Sequence, residues 1–320
     1  MTSVTTKVAA PMPPHRRPRL RLRGERPPRP TDRGWKITPW LFLLVPLVLL
    51  VTFTYIPVVN MFWYSLTSWN GISKTKDYVG FDNYVEVFTR PELFRVFFVS
   101  LYYLAASVVQ ITLALYFATI LSFSTWFKNL FKGILFFPYL INGVAVAFVF
   151  LYFFQPGGTL DTVLGMFGLP DGSAPHWLGD PDIVNYSLAS TSVWRFMGLN
   201  FVLFLGAIQS IPGGIYEAAE LDGANRWQQF RYIIAPGIKP IISLSAILAI
   251  SGSLSVFEIP FVMLGGANGS ATFVIQTVNL AFKFNKVGLA SAMAVVLLVI
   301  ILIVTWIQRK VVPEEQVNLT

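Results

Sequence analysis

Long apolar blocks alternate with short polar stretches, and that alternation is the strongest signal in the chain. Six blocks, at about 40–64, 97–123, 130–154, 187–209, 240–264 and 287–307, each reach the roughly 20 helical residues that a bilayer requires. Helix is the expected form, because in lipid each backbone polar group must be satisfied within its own segment. Pro46 and Pro57 are expected to kink the first span, while Gln110 and Thr112 interrupt the second mildly. The third is read as continuous, with Pro138, Tyr139 and Asn142 at mid-membrane. Polar groups there should face the bundle, bonding helix to helix or meeting a solute. Arg195 in the fourth must snorkel, pair or face water. The fifth is unusually polar, with Ser243, Ser245, Ser251, Ser253, Ser255 and Glu258. Small residues permit close helix approach, but an ionisable group at this depth points to a pathway or a partner. Arg195, Lys283 and Lys286 stand open as the cation for Glu258.

The polar stretches carry their own patterns. Residues 217–240 read EAAELDGANRWQQFRYIIAPGIKP, a helix, a tight turn and a second helix. Residues 215–221 are rich in helix formers, Asp222-Gly223 is a turn pair, and 226–234 form the second helix with Pro236 expected to stop it. Asp222 is expected to cap that second helix and Gly223 to supply the turn's backbone conformation. Trp227, Phe230, Ile233 and Ile234 make one apolar face, with Asn225, Gln228, Gln229 and Arg231 opposite. Such a helix suits a membrane boundary or a partner's groove.

Residues 1–36 are rich in Pro and Arg and cannot bury a core, so a disordered basic tail is expected. It reads as an orientation signal, with anionic lipid or RNA as competing ligands. Residues 78–88 are expected to pack an external loop on the bundle. The 155–185 loop carries Asp161, Asp171, Asp180 and Asp182 with no Lys or Arg and lacks calcium-loop spacing, so its carboxylates read as solvated charges. Six spans put both termini and the 217–240 loop on one side. Lys128, Lys132, Arg226, Arg231, Lys239, Arg309 and Lys310 fall there with the tail, against Lys74, Lys76, Arg90, Arg95, Lys283 and Lys286 opposite, where the acidic loop also falls. The positive-inside bias makes the first side cytoplasmic.

Composition narrows the class. The 320-residue chain is 54% hydrophobic and 12% charged, too apolar to cover itself in water. With no Cys, and with His15 and His176 far apart, a disulfide, a thiolate nucleophile and a zinc cluster are excluded. There is no G-x-x-x-x-G-K-[ST] phosphate loop and no nucleophile–base set, so the chain is expected to be neither an enzyme nor a cofactor carrier. Most of the net charge of +8 lies in the tail, which fits a membrane protein better than a nucleic-acid binder.

One resemblance organises these readings. Glu217-Ala218-Ala219, Asp222-Gly223-Ala224, Phe230, Ile233, Pro236 and Pro240 resemble the EAA loop of permease subunits of bacterial carbohydrate ABC importers, the maltose-permease group. Residues 78–88, Trp194-Arg195 with Gly198, and Phe257, Glu258, Gly265, Gly266 and Thr272 are similar to further family segments. Ala267 stands where that family usually has Pro, and Leu264 where Thr is common.

The resemblance implies an all-α integral membrane fold, a six-helix transmembrane bundle of the type I ABC importer permease with cytoplasmic coupling helices. The expected organisation is a basic tail at 1–36, a permease domain at 37–312 with its coupling loop at about 213–240, and a short tail at 313–320. The resemblance gives Glu217, Ala218, Ala219, Asp222 and Gly223 a role in docking a cytoplasmic ATPase, with Pro236 and Pro240 setting the exit into the next span. It implies a multi-pass protein of the bacterial inner membrane with both termini cytoplasmic, carrying a sugar or oligosaccharide. The implied partners are a second homologous permease, two ATPase copies, an extracytoplasmic solute-binding protein and membrane lipid, with no nucleic acid. Aligned on the coupling motif, the family's sugar-contacting stretch falls on 249–257, and Asn200, Ser253, Phe257 and Glu258 are the expected pathway residues. Phe257 could stack on a sugar face while Ser253 and Asn200 bond its rim. Two rivals compete: a gradient-driven secondary transporter using Glu258 and Arg195, and a membrane-anchored RNA- or lipid-binding protein using the tail.

Overall fold

The computed structural model describes residues 33–123, 128–168, 170 and 172–311. The basic tail up to residue 32, Asp171 and the end of the chain from 312 lie outside the described residues. Among the described residues, five helices are long and apolar enough to cross a membrane: Trp40–Ser65, Pro91–Ser122, Val184–Gln209, Lys239–Leu264 and Val287–Lys310. A sharply bent pair, Asn129–Leu140 with Gly143–Phe154, makes a sixth span when counted as one. The all-α membrane bundle expected from the apolar blocks is therefore present.

The chain divides at Ile56 and Pro57 into two compact units. In the first, α1 (Arg33–Leu50) runs past Pro46 and widens into a π turn at Val51–Tyr55. Pro57 has no N–H, and its ring would crowd the preceding turn. Ile56 instead bonds five residues back to the Val51 carbonyl, so the expected break is absorbed as a wider turn.

The second unit opens within α2 (Ile56–Ser65), from Pro57 onward, followed by α3 (Asp82–Thr89) and α4 (Pro91–Phe94). Asn83, at the start of α3, donates its amide to the Ser65 and Thr67 carbonyls at 2.8 Å each. The 66–80 loop is thereby pinned where α2 ends, and α3 packs on the last span through Val87 in one apolar cluster with Leu289, Ala292 and Met293. Residues 78–88 thus do pack a loop on the bundle.

The central pair is α5 (Val99–Ser122) against α9 (Val184–Gln209). Between them in sequence lie α6 (Lys128–Leu140), α7 (Gly143–Phe154) and α8 (Thr159–Met166). After α9 come α10 (Gly213–Leu221), α11 (Arg226–Gln229), α12 (Ala235–Gly237) and α13 (Lys239–Leu254). The chain finishes with α14 (Glu258–Leu264), α15 (Phe273–Val278) and α16 (Val287–Val311). α6 packs on α9, α13 on α5, and α14 on α7. Outward apolar side chains stay exposed, as Leu244 (44%), Val149 (60%) and Leu302 (60%) show, which suits a lipid-facing rather than a wetted surface.

Two spans depart from the continuous helices expected. The third breaks at Ile141 and Asn142, where its halves bend by 98°. Pro138 denies α6 a backbone donor, and Ile141 closes the helix on the Pro138 carbonyl. Asn142 then turns extended and caps α7, its side chain accepting from the Val144 N–H at 2.9 Å. Its polarity therefore serves a helix start rather than a bond to another helix. The fifth span breaks at 255–257, between α13 and α14. Thr272 holds that break, donating its hydroxyl to the Val256 carbonyl at 2.7 Å while capping α15.

Candidate functional site

A cavity of about 590 Å³ opens among α5, α9, α13 and the ends of α6 and α14. Its polar lining comes from Tyr103, Ser107 and Gln110 on α5, Tyr139 on α6, Ser192, Arg195 and Asn200 on α9, and Ser245, Ser253 and Glu258 from the fifth span. Phe196, Leu199, Leu248 and Phe257 supply apolar wall. Its size lies within the range of sites for small organic ligands, about 300–1,000 Å³. Asn200, Ser253, Phe257 and Glu258, chosen from sequence, all line this one cavity.

Their environments differ. Asn200 is buried and donates weakly to the Phe196 carbonyl at 3.4 Å; Ser253 is buried and bonds back to Ile250 at 2.9 Å. Phe257 stacks on Phe261 with centroids 4.6 Å apart, which occupies part of the ring expected for a sugar face. Of the three cations open for Glu258, Arg195 takes it, with Nη1 2.7 Å from Oε2. Three cavity residues carry buried polar atoms without a hydrogen-bond partner: Tyr103 Oη, Arg195 Nε and Ser245 Oγ. Tyr103 and Ser192 were missed in the sequence because a lone hydroxyl in an apolar block does not reveal its direction. Gln110, Tyr139 and Ser245 stood out as polar interruptions without pointing to one another.

The loop between the fourth and fifth spans is the second feature. α10 ends at Asp222 in a double turn: Ala224 N–H reaches the Ala219 carbonyl at 2.9 Å and Gly223 N–H the Glu220 carbonyl at 3.1 Å. Gly223 sits at φ +77°, the left-handed conformation expected of it. The cap of the second helix is Asn225 rather than Asp222, because Asp222 is already spent ending α10. Asn225 and Gln228 form a reciprocal capping box, with bonds of 2.9 and 2.7 Å.

Pro236 does not stop the second helix. α11 widens into a π turn at Phe230–Ile234, runs through α12 and yields only at Ile238, where the backbone leaves helical geometry. The wider turn changes the helix phase, so the expected faces do not hold. Gln229 is buried and Trp227 is exposed. Gln229 accepts from Arg226 at 3.3 Å and donates to the Ala224 carbonyl at 3.4 Å. Ile234 and Ile238 are buried beside Ala118 and Leu121 of α5 and Phe204 and Ile208 of α9. The loop is thereby rooted in α5 and α9, two of the helices that wall the cavity. Its far side stays open: Glu217, Ala218, Asp222, Gly223 and Pro236 are exposed, Ala219 half-buried, and Leu221 90% exposed. Tyr216 turns inward, and burial pushes its phenol up from the usual tyrosine range.

A multi-span helical bundle enclosing a polar cavity, with a structured loop rooted in the cavity helices, defines a membrane transport component. Residues 110–316 match the family described as binding-protein-dependent transport system inner membrane component. The chain belongs to that family. It is 34% identical over 282 residues to the probable ABC transporter permease protein YurN of Bacillus subtilis, covering 86% of this chain and 96% of that one. It is 33% identical over 275 residues to the multiple sugar-binding transport system permease protein MsmF of Streptococcus mutans, covering 85% and 93%. It is 32% identical over 304 residues to the diacetylchitobiose uptake system permease protein NgcF of Streptomyces coelicolor, covering 90% and 86%. The fold matches a chain of a bacterial ABC transporter that imports the acidic polysaccharide alginate, with a TM-score of 0.73 at 24% identity over 88% of this chain and 99% of that one. The protein is a multi-pass membrane permease rather than an enzyme.

Proposed function

We propose that this chain is one permease of an ATP-driven sugar or oligosaccharide importer, forming half of the pathway and receiving the work of two cytoplasmic ATPases through the 213–240 loop. A second homologous permease completes the pathway, and an external solute-binding protein delivers the sugar. The carrying observation is the loop's two-sided design: Ile234 and Ile238 fix it to α5 and α9, while Glu217, Leu221 and Asp222 face outward. A rigid body clamped to the cavity helices and open on its other side is what a subunit needs to move those helices. Charge supports the orientation, since Arg226, Arg231, Lys239, Arg309 and Lys310 share one side in a six-span topology, which puts the loop and both termini in the cytoplasm.

Sugar as cargo rests on the relatives that carry multiple sugars and diacetylchitobiose. The cavity chemistry agrees, with hydroxyls and amides from Ser107, Gln110, Asn200 and Ser253 set among aromatic and aliphatic wall. The pathway residues proposed are Asn200, Ser253, Phe257 and Glu258. ATP must favour one global arrangement over the other, and the loop would transmit that preference. A gradient-driven carrier working through Glu258 would have to displace Arg195, which neutralises that carboxylate in the ion pair. The test is uptake of labelled oligosaccharides by proteoliposomes holding the complete assembly. Uptake that needs ATP and the binding protein supports the proposal; uptake by this chain with an ion gradient and no ATPase contradicts it.

A further inference from the structure

Two of the spans around the cavity are broken, and both breaks meet at one ion pair. The third span stops at Leu140 and resumes at Gly143; the fifth stops at Leu254 and resumes at Glu258. Glu258 meets Arg195, which stands on α9, a helix that continues unbroken from Val184 to Gln209. The pair lies directly on the backbone of Gly143, where an added Cβ would overlap both Glu258 Oε2 and Arg195 Nη1. One turn along α9, Gly198 backs onto the Leu135 carbonyl of α6 just as closely. The straight helix therefore grips both halves of the third span, α6 through Gly198 and α7 through the ion pair.

Arg195 and Glu258 are also the charged residues of the cavity lining. On the fifth span that lining runs from Ser245, nearer the 213–240 loop, to Glu258 beyond the break, so the pair sits toward the cavity's far end. Arg195 is 14% exposed and Glu258 44%, which makes the acid the partner that water reaches. The attraction within such a pair falls as water enters and the local dielectric rises, while the cost of desolvating both charges offsets much of its net worth when it is closed. Helical segments separated by a few non-helical residues can swing as bodies without losing their internal bonds.

We propose, on the importer reading, that Arg195 and Glu258 seated on Gly143 form a latch. It holds α7 and α14 against α9 to keep the far end of the cavity shut, and it parts when solute is admitted. Glu258 is then a positioning residue of the gate, and Gly143 is the floor that allows the pair to close.

The experiment uses the complete assembly in proteoliposomes and measures ATP hydrolysis with and without sugar-loaded binding protein. In the wild type the loaded binding protein is expected to raise hydrolysis severalfold. Glu258→Gln, which keeps shape and removes charge, and Gly143→Ala, which keeps both charges and removes the floor, are each expected to raise unstimulated hydrolysis severalfold. The stimulation ratio then falls toward one while the subunits still co-purify in wild-type proportion. Arg195→Lys, which keeps the cation, recovers most of the ratio lost in Arg195→Gln. A wild-type ratio in both Glu258→Gln and Gly143→Ala overturns the latch, as does loss of assembly in both, which would make the pair a fold contact only. The wild-type sample reports separately on the importer reading, which fails if no ATP hydrolysis responds to the binding protein.

Discussion

Arg226 lies over the ring of Phe123, its guanidinium carbon 4.0 Å from the ring centroid, tying the start of α11 to the residue just beyond the end of α5. The contact joins the 213–240 loop to the second span as well as to its own flanking spans. Because Arg226 is largely exposed, the contact's share of stability is small, on the order of 0.5–1 kcal/mol. Arg226→Ala is therefore expected to lower the melting temperature of the purified permease only slightly while reducing ATP-dependent uptake more than twofold. An uptake loss no larger than the loss of folded protein would show that the contact is not used in coupling.

Asn225 and Gln228 close α11 with a reciprocal capping box. Removing the cap by Asn225→Ala should cost about 1 kcal/mol of local stability. The readout is hydrogen exchange at the Gln228 and Gln229 amides, which should quicken about fivefold, the factor that corresponds to about 1 kcal/mol, with α5 and α9 unchanged. Asp222→Ala, tested beside it, should leave those amides at the wild-type rate.

Tyr216 buries its hydroxyl without a partner while its ring packs at the edge of the cluster around Phe204 and Ile234. Deleting an unsatisfied buried hydroxyl removes a desolvation cost of order 1 kcal/mol. Tyr216→Phe is expected to be neutral or to raise the melting temperature by a few degrees. A clear drop would mean that the hydroxyl has a use in the assembled transporter.

Asn83 serves two carbonyls at once, and Asn83→Ala would leave both buried groups without this donor. With about 1–3 kcal/mol for each stranded group, the substitution should free the 66–80 loop, read as faster proteolysis at the exposed Lys74 and Lys76. Asn83→Asp keeps the size but turns an acceptor towards both carbonyls, and should free the loop at least as much.

Asn200, Ser253 and Phe257 face one cavity, so alanine at each should raise the KM for sugar uptake or alter the choice among oligosaccharides, with kcat affected less. Unchanged KM and unchanged selectivity in all three would remove the cavity from the transport path.

The spans and the turn at Asp222-Gly223 were legible because their signals are local. An apolar block of bilayer length has one reasonable fate, and Gly223 after a helix-forming run marks a left-handed turn. The breaks at 141–142 and 255–257 were not legible, since Pro138 and the serines of α13 are equally compatible with a bent, continuous helix. The exposure of Gln229 was misread because a π turn at Phe230–Ile234 changes the helix phase, and a 3.6-residue repeat does not anticipate it. The partner of Glu258 lies 63 residues away, and only the packing of α14 beside α9 distinguishes Arg195 from Lys283 and Lys286.

The proposed importer requires the 213–240 loop to seat on a cytoplasmic ATPase. Gly223→Pro tests it most directly, because proline cannot adopt the φ of +77° found there. The measurement is co-purification in detergent from the native membrane, comparing tagged wild type with the variant and probing for a P-loop ATPase. The ATPase is expected to accompany the wild type and to be lost from the variant, while the second permease stays with both. Equal ATPase with both forms, or none with either while sugar uptake persists, would contradict it.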